Sequence, residues 1–231
     1  MTVQFRVQDL QHQILDMAKL SKKFLSPDSL YRLEECSHDL GSIVRAGRTD
    51  RWQISRDRPL KTRVSNGCYE PGGRGALCLE AVISFVWEVR PLDNGFVGLD
   101  GIASTRVEFY GLDPRATPHS LVWRHEVGDS QSPGTYFHTQ ISGSSDFVVP
   151  RFPGMILTPV DAIDFVLGEM FQDEWPREQR YNDSTIKRFA PKQRKRLKTT
   201  LQEQSRAVDE RSELSGWMSL KGWIPEGLAL T

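Results

Sequence analysis

Two alternating strand-like runs between His119 and Ile141 constrain this chain more than any other feature. The runs read HSLVWRHEV and TYFHTQI, and the GDSQSPG between them consists largely of turn-forming residues. This pattern predicts a β-hairpin. Pairing odd-numbered with odd-numbered positions collects the apolar side chains on one face of the hairpin: Leu121, Trp123, Val127, Phe137 and Ile141. One sheet face is therefore predicted to be apolar and the other polar.

The polar face is the first candidate site, and it carries Arg124, Glu126, Tyr136, His138 and Gln140. In a hydrolase acting on a phosphate or ester, His138 could act as a general base, Glu126 could orient it, and Arg124 could hold an anionic substrate. Glu108 or Glu88 joins them if the even-numbered side chains of the neighbouring strands also lie on the polar face. The alternative is a solvated sheet face on which Arg–Glu pairs add modest stability.

The same register separates the two histidines of the hairpin. His125 falls on the apolar face, away from His138, so the two cannot bind one metal ion unless a bulge shifts the strand. We expect His125 to be buried and hydrogen-bonded in the core. We predict no structural metal and no cofactor.

Composition limits the classes of partner. The chain has 231 residues, 38% of them hydrophobic, which is enough for a core, and its 30 basic and 30 acidic residues cancel. Any attraction to nucleic acid must therefore come from local clusters. No apolar run approaches the ~20 residues that span a bilayer, and residues 1–13 lack the apolar segment of a secretory signal. We expect a cytoplasmic protein with no membrane partner.

The three cysteines, Cys36, Cys68 and Cys78, are an odd number and show no CxxC spacing. This disfavours both a disulfide framework and a zinc ribbon. Reduced thiols are therefore expected.

Residues 1–50 are predicted to form an N-terminal helical segment. Apolar residues recur at helical spacing from 3 to 24, which predicts one amphipathic helix. Ser26 and Pro27 then predict the start of a second helix, which should end near Gly47. The following stretch, 45–63, is rich in arginine and is interpreted either as a solvated connector or as an anion-binding segment.

Residues 51–180 are predicted to form an α+β core with an antiparallel sheet. A central strand is expected over 77–89, a tight turn at Asp93-Asn94-Gly95, and a returning strand over 96–110. Short connections imply antiparallel neighbours, so the sheet should be a β-meander of four to five strands between about 77 and 150. Glu70 to Gly75 is interpreted as a turn ahead of the sheet, with a phosphate-binding loop as the alternative.

A helix is predicted to start at Pro159. Thr158 is the expected N-cap and Asp161 supplies the carboxylate of a capping box. The wide apolar face of this helix should cover the odd-numbered face of the sheet. Pro176 is expected to end the helix.

Residues 181–231 are predicted to form a basic helical extension with a tryptophan-containing tail. One or two helices are expected, with an interruption at Pro191. Seven cations lie within residues 187–198, with no acidic residue among them: Lys187, Arg188, Lys192, Arg194, Lys195, Arg196 and Lys198. They could bind nucleic acid or an acidic protein partner, or they could form a solvated face. The tail with Trp217 and Trp223 should pack on the domain or on another subunit.

The order of elements, a helix, a meander, a Pro-x-x-Pro exit and further helices, resembles that of ubiquitin-conjugating enzymes and related non-catalytic folds. Pro150-Arg151-Phe152-Pro153 is the one short segment that resembles that family in sequence. The His-Pro-Asn motif is absent, and no cysteine follows position 79. The resemblance therefore implies an inactive, binding version.

The sequence thus predicts an α+β fold with an N-terminal helical pair, an antiparallel meander and C-terminal helices. The first functional hypothesis is a non-catalytic binding or assembly subunit that contacts a protein or nucleic-acid partner through the basic helix. The alternative is the hydrolase with its site on the polar sheet face. An enzyme requires His138 in a concave pocket within hydrogen-bond reach of Glu126 or Glu108.

Overall fold

A computed structural model describes residues 3–65, 78–111, 120–128, 135–143, 151–211, 213–220, 223 and 227–230. The helices are α1 (Val7–Leu20), α2 (Pro27–Ala46), α3 (Pro159–Met170), α4 (Glu174–Tyr181), α5 (Asp183–Glu210) and α6 (Gly216–Leu220). The strands are β1 (Gln4–Arg6), β2 (Asp50–Ile54), β3 (Leu60–Lys61), β4 (Leu79–Pro91), β5 (Phe96–Gly111), β6 (Ser120–Val127), β7 (Phe137–Gly143), β8 (Phe152–Pro153) and β9 (Ala229–Leu230). The predicted turn at 70–75, Cys68 and the side chain of Trp217 lie outside the description.

The strands form one sheet in the order β2-β4-β5-β6-β7-β8, with each neighbouring pair antiparallel. β3 also pairs with β4, and β1 lies between β5 and β9. Together with the helices at both ends of the chain, this confirms the predicted α+β fold and its meander. None of the described helices is long and apolar enough to cross a membrane.

The core lies on the odd-numbered face of the sheet. Ile83, Phe85, Trp87 and Val89 of β4 are buried there, as the alternation of the sequence predicted. The helices cover this face: the Trp52 indole on β2 donates to the Cys36 carbonyl in α2 at 3.0 Å. One hydrophobic cluster extends from Val3 to Leu230, so all three predicted segments contribute to a single core.

Two predicted helix starts are confirmed in detail. The Ser26 hydroxyl accepts from the Ser29 N–H at the start of α2. At the start of α3, the Thr158 hydroxyl accepts from the Asp161 N–H, and the Asp161 carboxylate accepts from the Thr158 N–H at 2.9 Å. These bonds satisfy backbone donors that the first helical turn leaves free.

The prediction of a helix from residue 3 was wrong for its first residues. Gln4–Arg6 form strand β1, which pairs antiparallel with β5 and parallel with β9. Val3 and Phe5 alternate with polar residues and are both buried, and a two-residue period suits a strand better than a helix. The partner strand β9 lies near the far end of the chain, so local spacing could not reveal it.

Two predicted helix breaks were also wrong. Pro176 lies in the first turn of α4, where the missing N–H has no intrahelical role. Pro191 lies inside the continuous helix α5. That helix is held by contacts with α1 and α3, which outweigh the local cost of the proline.

The predicted turn and tail agree with the structure where it describes them. Asn94 and Gly95 both have positive φ, 60° and 75°. Trp223 is partly buried against the core and packs edge-on to Phe137 with ring centroids 6.0 Å apart. Cys36 and Cys78 are free thiols. The end of the predicted meander, residues 144–150, lies outside the described residues.

Candidate functional site

The hairpin has the register that the hydrophobic pattern predicted. Glu126 lies opposite His138 and Arg124 opposite Gln140. On the other side of β6, Ser104 of β5 lies opposite Glu126. Ser104, Glu126 and His138 therefore form a row across three strands on the even-numbered face.

His138 is held in a fixed orientation. Its Nδ1 lies 3.0 Å from the Thr135 carbonyl oxygen, and because a carbonyl only accepts, Nδ1 must carry a proton. Its Nε2 lies 3.4 Å from Glu126 Oε2, yet among the described residues it has no hydrogen-bond partner. The contact is thus a long electrostatic one rather than a formed hydrogen bond. The residue is only 3% exposed.

Glu126 is the charged centre of this row. Its Oε1 accepts from the Ser104 hydroxyl at 3.1 Å and lies 3.7 Å from Arg124 Nη1. The nearby His138 imidazole lowers the pKa of Glu126 to about 2; Arg124 and Ser104 act in the same direction, and burial opposes them. Glu126 is therefore a carboxylate at neutral pH.

The order of these three residues limits what they can do chemically. In a nucleophile triad the imidazole stands between hydroxyl and carboxylate, so that it can take the hydroxyl proton. Here the carboxylate stands in the middle, and Ser104 bonds to Glu126. Burial also keeps a substrate from His138 unless neighbouring side chains move. The three residues therefore fix the position of the Glu126 carboxylate.

Other polar side chains of this face also bond to one another. The Arg106 guanidinium donates to Glu108 at 2.5 Å, and the Tyr110 hydroxyl donates to the same carboxylate. That hydroxyl is the main cause of a lowered pKa of Glu108. Arg124 donates to the Gln140 side chain at 2.5 Å.

Tyr136 and Glu88 stand apart from the row. Tyr136 packs on Phe137, with ring centroids 4.9 Å apart, and against the hydrophobic core; burial raises the pKa of its hydroxyl. Glu88 lies on β4 and pairs with Arg51 of β2 at 3.2 Å. The structure therefore brings Arg124, Glu126 and His138 together, but not these two.

His125 is buried on the apolar face, as predicted. The backbone N–H of Leu157 donates to its Nε2 at 3.1 Å, so Nδ1 carries the proton and donates to the Thr139 hydroxyl at 3.2 Å. Burial lowers the pKa of His125 to about 4. The described residues contain no group of three His, Cys, Asp or Glu side chains that could hold a metal ion.

The basic helix α5 divides its cations between two directions. Arg188 forms an ion pair with Asp16 of α1, and Lys192 forms one with Asp9 of α1. Arg196 is buried: it pairs with Asp161 of α3 at 2.5 Å and donates to the Gln13 side chain at 2.7 Å. These three residues, predicted to contact a partner, hold α5 on the body of the protein, and the buried Arg196 cannot reach a partner.

The remaining cations point outward. Lys187, Arg194 and Lys198 are spaced by seven and four residues, which places them on one line of the helix, with Lys195 beside it. All four are exposed. Lys187 pairs with Asp183 at 2.5 Å, whereas Arg194, Lys195 and Lys198 form no ion pair with any described residue. We call these four residues the cationic face of α5.

Sequence reasoning missed the acidic partners of α5. Asp9 and Asp16 are seven residues apart, hence on one side of α1. Such a spacing, facing a helix with cations four residues apart, is a signal for helix–helix ion pairs. It was hidden because the paired residues lie more than 170 positions apart in the sequence.

Comparisons with known proteins identify no relative: no family model, no curated protein and no solved structure matches this chain. The resemblance in element order to ubiquitin-conjugating enzymes therefore gains no support.

Proposed function

We propose that this protein is a non-catalytic binding or assembly subunit that contacts an acidic surface of a partner protein through the cationic face of α5. The observation that carries the proposal is the division of the seven basic residues. Three of them hold the helix in place, and Arg194, Lys195 and Lys198 remain exposed without a counter-charge among the described residues. A fixed helix presents these charges at defined spacing.

The size of the cationic face favours a protein over a nucleic acid. The cationic face extends from Lys187 to Lys198, which is about 17 Å of helix at 1.5 Å per residue, and it carries four cations. Leu201, 52% exposed, continues the same line. An apolar side chain next to cations suits a protein interface, whereas duplex binding relies on many phosphate contacts.

Cations of this kind govern the rate and specificity of association more than its strength. An exposed pair contributes about 0.2 to 1 kcal/mol and is weakened by salt. We therefore expect a salt-sensitive contact that adds to other surfaces of the protein.

The alternative, a hydrolase using His138, Glu126 and Arg124, is favoured by the contact between Glu126 and His138. The burial of His138 and the bond between Ser104 and Glu126 oppose it. Turnover of p-nitrophenyl phosphate or p-nitrophenyl acetate that disappears in Glu126→Gln would support the enzyme. No turnover above that of the variant would leave the binding proposal in place.

The test of the binding proposal uses polyglutamate as a mimic of an acidic protein surface. The variant Arg194→Ala/Lys195→Ala/Lys198→Ala should weaken binding of the full chain about fivefold or more at low salt, because three favourable charge contacts are removed. The matched control, Lys19→Ala/Lys22→Ala/Arg45→Ala, removes the same charge from exposed sites elsewhere. Its affinity should change much less.

Two results would overturn the proposal. Equal losses in the two triple variants would show that only net charge matters. Tighter binding of duplex DNA than of polyglutamate at the same salt concentration, lost in the α5 variant, would assign the cationic face to nucleic acid instead.

A further inference from the structure

A groove runs between helix α2 and strand β2, and none of the residues that line it takes part in the proposed function. Its cavity volume is about 480 Å³. One wall is a stripe of α2 at helical spacing, which includes Glu35, Asp39 and Ser42, and the other is β2 with Arg51 and Gln53. Volumes of this size are typical of sites that bind ligands.

Strand β2 is the edge strand at this end of the sheet. It pairs with β4 on one side, and it is the first strand in the sheet order of the described residues. The Arg51 N–H donates to the Asp50 side chain at 2.8 Å, which directs this N–H away from β4. Because N–H and C=O directions alternate along an antiparallel strand, Gln53 presents its backbone groups to the same open side.

Backbone groups on an open edge are a template for a further strand. Arg51 and Gln53 both line the groove, so a strand added there would lie between β2 and the α2 wall. The five residues of β2 extend over about 17 Å, and an extended segment of about five residues would match that length.

The charges of the groove select among such segments. Three of its arginines are already paired: Arg32 with Asp28, Arg48 with Asp50, and Arg51 with Glu88. The carboxylates of Glu35 and Asp39, one helical turn apart on α2, form no ion pair with any described residue. Arg58, which is exposed, is the cation of the groove lining left without such a pair. The unpaired charge on the helix wall is therefore negative.

We infer that this groove binds an extended peptide segment of a partner protein as an added strand beside β2, with a lysine or arginine of the peptide facing Glu35 and Asp39. Backbone hydrogen bonds to the Arg51 carbonyl and to the backbone groups of Gln53 supply the pairing, and the two carboxylates select a basic side chain. This is a second interaction surface, independent of the cationic face of α5.

The probe is a fluorescent peptide of about seven residues with lysine at every second position and valine or threonine between, which places all lysines on one side of a strand. Two further probes test the two parts of the inference. One has glutamate in place of lysine, and the other keeps the lysines but is N-methylated along its backbone so that it cannot donate to a strand. The full chain should bind the first probe, with amide shifts at Arg51 and Gln53 in NMR spectra, and bind both others at least about fivefold more weakly.

The variant Glu35→Gln/Asp39→Asn should weaken binding of the lysine peptide about fivefold or more, since it removes both unpaired carboxylates. The control Glu34→Gln/Glu213→Gln makes the same charge change at exposed positions outside the groove and should leave the affinity unchanged. The α5 triple alanine variant should also bind normally, which separates this inference from the proposed function.

The inference fails if the N-methylated peptide binds as well as its parent, because the contact is then electrostatic only. It also fails if the groove variant and its control behave alike, or if no probe binds. Concentration-dependent dimerisation that shifts the Arg51 and Gln53 amides without any peptide would assign the groove to a second copy of the chain instead.

Discussion

The guanidinium of Arg196 and the carboxylate of Asp161 form a two-pronged ion pair, with Nε to Oδ2 at 3.1 Å and Nη2 to Oδ1 at 2.5 Å. Both side chains are 2% exposed. Asp161 also caps α3 through Thr158, so one carboxylate orders the start of α3 and anchors α5. Removal of one partner from such a pair leaves a buried charge without a counter-charge, which destabilises the folded protein.

Replacing Arg196 with methionine should lower the free energy of unfolding by about 3 to 5 kcal/mol, because the Asp161 carboxylate would remain buried without a counter-charge. Urea denaturation followed by circular dichroism measures the change. The control Arg194→Ala, on the exposed side of the same helix, should change stability by less than about 0.5 kcal/mol. A loss under about 1 kcal/mol in Arg196→Met would contradict the buried pair.

His125 should make stability depend on pH between about 4 and 6.5. Its folded pKa is lowered from 6.5 to about 4, so in this range the unfolded chain binds a proton that the folded protein does not. Stability is therefore full above the unfolded pKa and falls on acidification, by up to about 3 kcal/mol at 1.36 kcal/mol per pKa unit.

The variant His125→Gln tests this dependence, since glutamine can accept from the Leu157 N–H but does not titrate in this range. Unfolding free energies at several pH values should show a shallower fall than in the parent chain. His38→Asn, at an exposed position, should keep the parental slope. An unchanged slope in His125→Gln would show that another group is responsible.

Pro191→Ala should stabilise the protein by about 1 to 2 kcal/mol. Alanine restores a helical N–H in the middle of α5 and removes the clash of the proline ring, while the unfolded chain regains some freedom. Thermal unfolding measures the gain. The comparison variant is Pro176→Ala, in the first turn of α4, where little change is expected; equal gains at both sites would refute the explanation.

Gly101→Ala should destabilise the protein by about 1 to 3 kcal/mol. Gly101 has a φ of 124°, and a Cβ there would run into the Glu88 carboxylate. The matched site is Gly227, which has a φ of 63° and open space around its missing Cβ. Gly227→Ala should cost less than Gly101→Ala in the same unfolding assay, and the reverse order would argue against the crowding.

The sequence was informative wherever its signal was local. The two-residue alternation of the hairpin placed Trp123 and His125 on the core side and His138 on the other. The cap residues Ser26 and Thr158 marked true helix starts, because their hydroxyls bond to backbone within three residues. Such signals need no knowledge of distant parts of the chain.

The sequence was misleading where distant residues decide. Pro191 suggested a break, but the pairs of Arg188 and Lys192 with α1 hold the helix together. The burial of Arg196 and His138 also comes from tertiary packing. A run of seven cations looked like one surface because spacing along a chain does not show which carboxylates fold against it.

The pairs between α1 and α5 have a consequence during synthesis. Asp16 leaves the ribosome 172 residues before Arg188, a delay of about 9 to 35 s at 5 to 20 residues per second. Throughout that interval the side of α1 that packs on α5, with its two carboxylates, stays uncovered. We therefore expect chaperones to bind nascent chains that are arrested before residue 188.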